Sequence, residues 1–512
     1  MDGVETLNLA VPIAAPNLPS FARKQDIDVR YAVIPPYSYI HIYWDKEKNE
    51  LIYEVEEPEL DEEEQEILEL LEKGIEEIID VSFLREKTQD SIISYLQQSS
   101  NLILKELNLS VSEESYFKLF YYLYRDFIGL NEIESVMRDF FVEDIGCNGI
   151  NSPIYVVHRL YRNMRTNVIY KDIEKLANFV EKLAQRSGRY VSYATPILDG
   201  TLPDGSRVNA TYATEITSKG PTFTIRKFTK VPFTPIQLID FKTLSPEILA
   251  YFWLLMEHKS NILIVGGTAS GKTTLLNALA FFIPPEARVV SIEDTRELNL
   301  PRENWLPNVS RTGLGPGKVG EVSLFDLLKG SFRQNPDYVI VGEVRGQEAY
   351  VLFQGMASGH ASLSTIHAES VDTVIKRLET PPINLSPTLV NILDVVAVMT
   401  HAIVKGKETR KLKQVIEILN VNPDGSATTN IPYFWNPADD AFYFKRNSYV
   451  FRKIMEKSGL SQEELLREFT DRLRLLYELY RRNITEFNMV QQIINLYYKD
   501  KNAALRQLGL LR

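Results

Sequence analysis

A triphosphate is a row of closely spaced negative charges, and the residues able to hold one are concentrated in Asn261 to Asn277, NILIVGGTASGKTTLLN. Gly266 and Gly271-Lys272-Thr273 satisfy G-x-x-x-x-G-K-[ST], the pattern of a phosphate-binding loop. Glycines let the backbone curl until successive N–H groups point inward, and the N-terminus of the next helix adds its partial positive charge. Gly266, Gly267, Thr268, Ala269, Ser270, Gly271, Lys272, Thr273 and Thr274 are the expected nucleotide contacts. Lys272 is expected on the β- and γ-phosphates and the Thr273 hydroxyl on Mg²⁺.

Hydrolysis of a triphosphate needs a positioned water and a nearby carboxylate, because placement and charge stabilisation do nearly all of the catalysis. Two apolar strands end in such groups: Ser291-Ile292-Glu293-Asp294-Thr295 and Val339-Ile340-Val341-Gly342-Glu343. The second has a Walker-B shape, with Gly-Glu where many phosphate-loop proteins carry Asp. His360 and His367 lie in GHASLSTIHA. An odd offset of seven along a strand puts them on opposite faces, roughly 23 Å apart at about 3.3 Å per residue, so they do not make a zinc pair. His367, at the strand's C-terminal end, is placed to reach a phosphate or the attacking water. Gly315, Gly317 and Gly320 spell G-x-G-x-x-G, but no apolar strand leads into them and Pro316 interrupts them. They are expected to form a Gly-rich loop and not a dinucleotide site.

These groups need a scaffold that brings strand ends together. The strand before the phosphate loop, the helix after it, and apolar strands at Arg288 to Glu293, Tyr338 to Glu343, Ala361 to His367 and Asp394 to Met399 alternate with helical stretches. Such alternation implies a largely parallel sheet covered on both faces, with active residues at its C-terminal edge. Ser245-Pro246 opens a helix before the loop, and Ser323-x-x-Asp326 and Ser461-x-x-Glu464 are capping boxes.

At 512 residues several cores are required. The expected organisation is a flexible arm over 1–28, a hairpin and acidic helical module over 29–130, and a small α/β domain over 131–228. A hinge follows at 229–236, then an α/β nucleotide-binding domain with a β-meander over 237–445, and a helical tail over 446–512. The net charge of −11 is local: Glu54 to Asp80 holds fourteen acids against one lysine, −13 in all, which leaves +2 elsewhere. That remainder lacks the basic footprint of nucleic-acid binding, which is therefore not expected. One cysteine, Cys147, excludes an internal disulfide framework and a four-thiolate zinc site. No apolar run reaches about 18 residues, and no basic-then-apolar leader opens the chain. The expectation from the residues is an intracellular protein whose membrane role is at most peripheral.

The series GGTASGKTT, IEDTREL, RQNPDYVIVGEVRG and GHASLSTIHA resembles the Walker A, Asp box, Walker B and His box of the type II/type IV secretion ATPase superfamily, in that order. The stretch LPDGSRVNATYATEITSKGPTFTIRKF resembles the end of that family's N-terminal domain. The resemblance implies a RecA-like P-loop NTPase C-terminal domain, a mixed α/β N-terminal domain, flanking helical modules and a homo-hexamer beneath a polytopic membrane platform protein, with ATP and Mg²⁺ bound. It assigns Glu293 to the attacking water and Glu343 to Mg²⁺, and Arg207 and Arg226 to the γ-phosphate as arginine fingers. The missing four-cysteine zinc motif and the extra terminal elements resemble the archaeal branch, most closely the archaellum (archaeal flagellum) motor and assembly ATPase, in which accessory motor proteins are expected to contact the N-terminal arm. An archaeal adhesion-pilus ATPase, a DNA-translocating secretion ATPase and a nucleotide-binding scaffold without turnover are the alternatives.

Overall fold

The computed structural model describes residues 16, 18–19, 21, 23–78, 89–228, 231–311, 313, 320–404, 406–422, 425–445 and 447–511. The chain divides into two compact units, residues 1–228 and 229–512.

The first unit is built on one nine-stranded sheet. Its strands are β1 (Asp28–Ile34), β2 (Ser38–Asp45), β3 (Glu50–Glu56), β4 (Val142–Cys147), β5 (Pro153–His158), β6 (Arg162–Ile169), β7 (Ile197–Thr201), β8 (Arg207–Thr211) and β9 (Thr222–Arg226). They lie in the order β1-β2-β3-β6-β5-β4-β9-β8-β7. Alternation of side chains decides which face is buried: on β2, Ile40 and Ile42 are inside while Tyr39, His41 and Tyr43 stay half-exposed. The helix Glu62–Ile78 buries Ile67, Leu71 and Ile75 one turn apart and leaves most of its acids outside. Glu64 is the buried exception, because it accepts from the Asp61 N–H while Asp61 accepts from its own N–H.

The sequence reading separates residues 29–130 from 131–228, whereas the sheet joins them. Ile52 and Tyr53 of β3 pair in parallel with Arg165 and Thr166 of β6. The fully buried Asp139 carboxylate seals the same junction, accepting from the Tyr31 and Tyr53 hydroxyls at 2.7 Å each. Most of the expected arm lies outside the described residues, but Leu18 and Phe21 pack on this core and the Pro19 carbonyl accepts from Tyr161 at 2.8 Å. The arm's boundary at residue 28 is thus corrected toward the N-terminus.

The second unit has its own nine-stranded sheet. Its strands are β10 (Ile262–Gly266), β11 (Val289–Glu293), β12 (Trp305–Val309), β13 (Tyr338–Val344), β14 (Ala361–His367), β15 (Val395–Val404), β16 (Lys407–Val421), β17 (Ala427–Asn436) and β18 (Ala441–Phe444). The order is β12-β11-β13-β14-β10-β15-β16-β17-β18, parallel from β12 to β15 and antiparallel from there on. Two cores explain the unbroken apolar runs. Ile262 and Ile264 of β10 face the helices Pro246–Glu257 and Lys272–Ala280. Leu263 and Val265 face the helices Glu348–Ala357 and Val371–Glu379.

The capping boxes at Ser323 and Ser461 are formed. Ser245 stands at its helix N-cap without a side-chain capping bond. Strand β12 is absent from the sequence reading because it contains Pro307 and is only partly buried, as an edge strand tolerates. Residues 229–230 of the expected hinge lie outside the described residues, and Thr234 already caps the helix Pro235–Asp240, so a linker extending to 236 is corrected. Gly315 and Gly317 also lie outside them. The helices Gln462–Arg481 and Phe487–Lys499, expected as a separate tail, share the core of the sheet. Trp253 donates to the Tyr498 hydroxyl at 3.0 Å, and the buried Arg472 bonds Glu468 at 2.6 Å and also Glu257.

Candidate active site

Strand β10 runs between β14 and β15 and delivers the phosphate loop at the C-terminal edge of the parallel strands. A Cβ on Gly266 would sit 2.4 Å from Ser270 Oγ and 2.6 Å from the Met399 carbonyl, so only glycine allows this entry. Gly271, at φ 93°, turns the chain into the helix Lys272–Ala280. Ala269 adopts φ 57°, and its carbonyl accepts from Arg410 Nε at 3.0 Å. Inside the loop the Gly267 carbonyl accepts from Ser270 Oγ at 2.8 Å and Lys272 Nζ at 2.9 Å. Burial holds the Lys272 ammonium below its usual range, against the pull of Glu343 and Glu297. A half-buried cation, a helix N-terminus and glycines without side chains form a fitting cradle for a polyanion. Thr273 and Thr274 occupy the first turn of that helix, half-buried.

Glu293 closes β11 and is 2% exposed. Its Oε1 accepts from the backbone N–H groups of Glu297 and Leu298, each at 2.9 Å. Its Oε2 is buried with no hydrogen-bond partner among the described residues. Burial pushes this carboxyl up to about 7, with the two N–H bonds opposing the shift. Gly342 of β13 makes room for it, since a Cβ there would stand 3.1 Å from Glu293 Cγ. Glu343 follows on β13, half-buried, and its Oε2 accepts from Arg345 Nε at 3.1 Å and Nη2 at 2.5 Å. Thr273 and Glu343 offer a hydroxyl and a carboxylate, hard oxygen donors of the kind Mg²⁺ takes.

His367 ends β14 in register with Gly266, and its Nδ1 lies 3.0 Å from the Gly266 carbonyl, which fixes Nδ1 as the protonated nitrogen. His360, half-buried, lies before β14, against the Phe332 ring at 4.9 Å between centroids. In the first unit, Arg207 of β8 and Arg226 of β9 are directly opposite each other. Arg207 pairs with Asp199 and Arg226 with Asp144, both at 3.2 Å. The two arginines thus share one exposed sheet face.

Sequence reasoning missed three cations beside these groups: Arg345 on Glu343, Arg377 on the His367 carbonyl, and Arg410 on the phosphate loop. Spacing from Glu343 could have found Arg345. No local signal marks the other two, because strand and helix packing bring them to the site.

A phosphate loop at the edge of a parallel sheet, with Glu293 and Glu343 on strands to one side of it, defines a RecA-like P-loop NTPase. The family described as "Type II/IV secretion system protein" matches residues 141–428, and the chain belongs to it. The protein MJ0900 of Methanocaldococcus jannaschii is 41% identical over 397 residues, 76% of this chain and 71% of that protein. The type IV secretion system protein PtlH of Bordetella pertussis is 42% identical over 127 residues, 24% of this chain and 37% of that protein. The longer match to the archaeal relative fits the archaeal branch. The solved ATPase DotB of Legionella pneumophila is 16% identical, covering 70% of this chain and 92% of its own, with a TM-score of 0.39, a likeness too low to bear on the function.

Proposed function

We propose that this protein hydrolyses ATP and uses the cycle to assemble and rotate an archaellum-like or type IV pilus-like filament, acting as a homo-hexamer on a polytopic membrane platform protein. The observation that carries hydrolysis is Glu293. One oxygen is pinned by backbone donors, while the other is buried and, among the described residues, unengaged. A carboxylate held in this way can accept a proton from water without first breaking a bond of its own.

In this reading the loop N–H groups and Lys272 hold the triphosphate, and Glu293 orients the attacking water and takes its proton. Thr273 and Glu343 would hold Mg²⁺, which when bound neutralises charge on the β- and γ-phosphate oxygens. His367 senses the phosphate end of the loop through the Gly266 carbonyl. Arg207 and Arg226 supply positive charge to the γ-phosphate, which couples nucleotide state to movement of the first unit. The filament assignment is supported by the resemblance that the four ordered motifs carry. Among the described residues no helix is long and apolar enough to cross a membrane.

Phosphate release from Mg²⁺-ATP tests the proposal. Lys272→Ala is expected to lose nucleotide binding. Glu293→Gln should still bind ATP and hydrolyse it on the order of a hundredfold more slowly. Arg207→Ala and Arg226→Ala should weaken turnover and keep binding. If the unaltered protein released no phosphate at any ATP concentration, with or without lipid, the non-hydrolysing scaffold would replace this reading. Stimulation by DNA with a steep salt dependence would favour a DNA translocator.

A further inference from the structure

We propose that Asn277 is a positioning residue for Glu293, carrying the placement of the phosphate-loop helix to the carboxylate through a single peptide unit. The inference rests on the hydrolytic reading of the site.

Asn277 lies in the helix Lys272–Ala280 and is 4% exposed. Its helix neighbours Leu275, Leu276, Ala278 and Leu279 all belong to the apolar core, so its amide must find partners within the protein. It finds them in the loop after β11. Nδ2 donates to the Glu297 carbonyl at 3.3 Å, and Oδ1 accepts from the Asn299 N–H at 3.1 Å.

That loop is also the one that pins Glu293. The Glu297 carbonyl and the Leu298 N–H are the two ends of one peptide group, which is planar and rigid. Its carbonyl is held by Asn277, and its N–H donates to Glu293 Oε1 at 2.9 Å. The neighbouring Glu297 N–H makes the second bond to that oxygen at 2.9 Å. Leu298 is fully buried in the same core as the helix, so the peptide cannot rotate without disturbing both partners. Hydrogen bonds in series also strengthen one another by polarisation. A helix that receives phosphate at its N-terminus is in this way mechanically tied to the group that orients the attacking water. Asn277 itself need not touch nucleotide.

The test uses the full chain with Asn277→Ala and with Asn277→Ser, whose short hydroxyl cannot span to Glu297, each made alone and together with Glu293→Gln. Affinity is read with a fluorescent ATP analogue, which also reports that the loop is folded, and turnover by single-turnover phosphate release. Both single variants should lose on the order of tenfold to a hundredfold in turnover, with affinity within about twofold of the parent. In the Glu293→Gln background the same substitutions should change residual turnover by less than about twofold, because residues acting through one another are not additive. Undiminished turnover in either single variant overturns the inference. So does an equal fold-loss with and without Glu293→Gln, or a loss of affinity as large as the loss of turnover, which would place Asn277 in support of the phosphate loop alone. A parent protein that releases no phosphate overturns the hydrolytic reading, and this inference with it.

Discussion

Glu293 is poised between two opposing influences. Burial favours its neutral form and carries the carboxyl up to about 7, while donated N–H bonds favour the anion. A base must be ionised to accept a proton, so turnover should climb as pH rises through about 7, and a pH–rate profile checks this. The same shift has a consequence for stability. In the unfolded chain an ordinary glutamate ionises near 4.5, so the fold is progressively disfavoured as pH rises from there through about 7. Glu293→Gln removes that cost. Its melting temperature should exceed that of the parent by about 2 °C or more at pH 8, and the difference should vanish near pH 4. Arg226, with two thirds of its side chain exposed, is held by Asp144, and exposed pairs contribute about 0–1 kcal/mol. Arg226→Ala should therefore melt within about 4 °C of the parent and stay folded at assay temperature, so that any loss of turnover reports on function and not on folding.

At the scale of elements, two contacts help hold the second unit together. Arg472, 2% exposed, ties the helix Gln462–Arg481 to the helix Pro246–Glu257 through Glu257 and lies over the Trp253 and Tyr497 rings. Removing one partner of a buried ion pair strands the other, and Arg472→Ala should cost about 3 kcal/mol in urea unfolding. Gly355, in the helix Glu348–Ala357, meets Phe332 so closely that an added Cβ would lie 2.1 Å from the ring. The ring cannot yield freely because it also packs on His360. Gly355→Ala should destabilise by about 1–3 kcal/mol despite alanine's better helix propensity, and the same unfolding measurement checks it. The sequence pattern found the helices involved, but neither contact is visible in it, since each joins residues from elements far apart in the chain or across a packing face.

Over the whole molecule, each unit has a core of its own. Residues 231–512 made alone should fold and bind ATP and, on the role proposed for Arg207 and Arg226, turn it over more slowly. Stopping the chain at residue 445 should instead yield no folded ATPase, because Trp253, Phe282 and their neighbours would lose the cover of Tyr497 and Tyr498; circular dichroism and ATP binding distinguish the two products. The phosphate loop, the strand-end carboxylates and the capping boxes are legible in the sequence alone. They follow from short-range causes: the steric freedom of glycine, the periodicity of apolar residues, and side chains that bond their own backbone within four positions. Tertiary structure alone decided that β3 joins β6, that the C-terminal helices belong to the nucleotide-binding core, and that one peptide links Asn277 to Glu293. Those choices depend on which backbone groups and surfaces meet after the chain has turned back on itself, and no local window of sequence encodes a partner on another element, whether twenty residues away or more than a hundred.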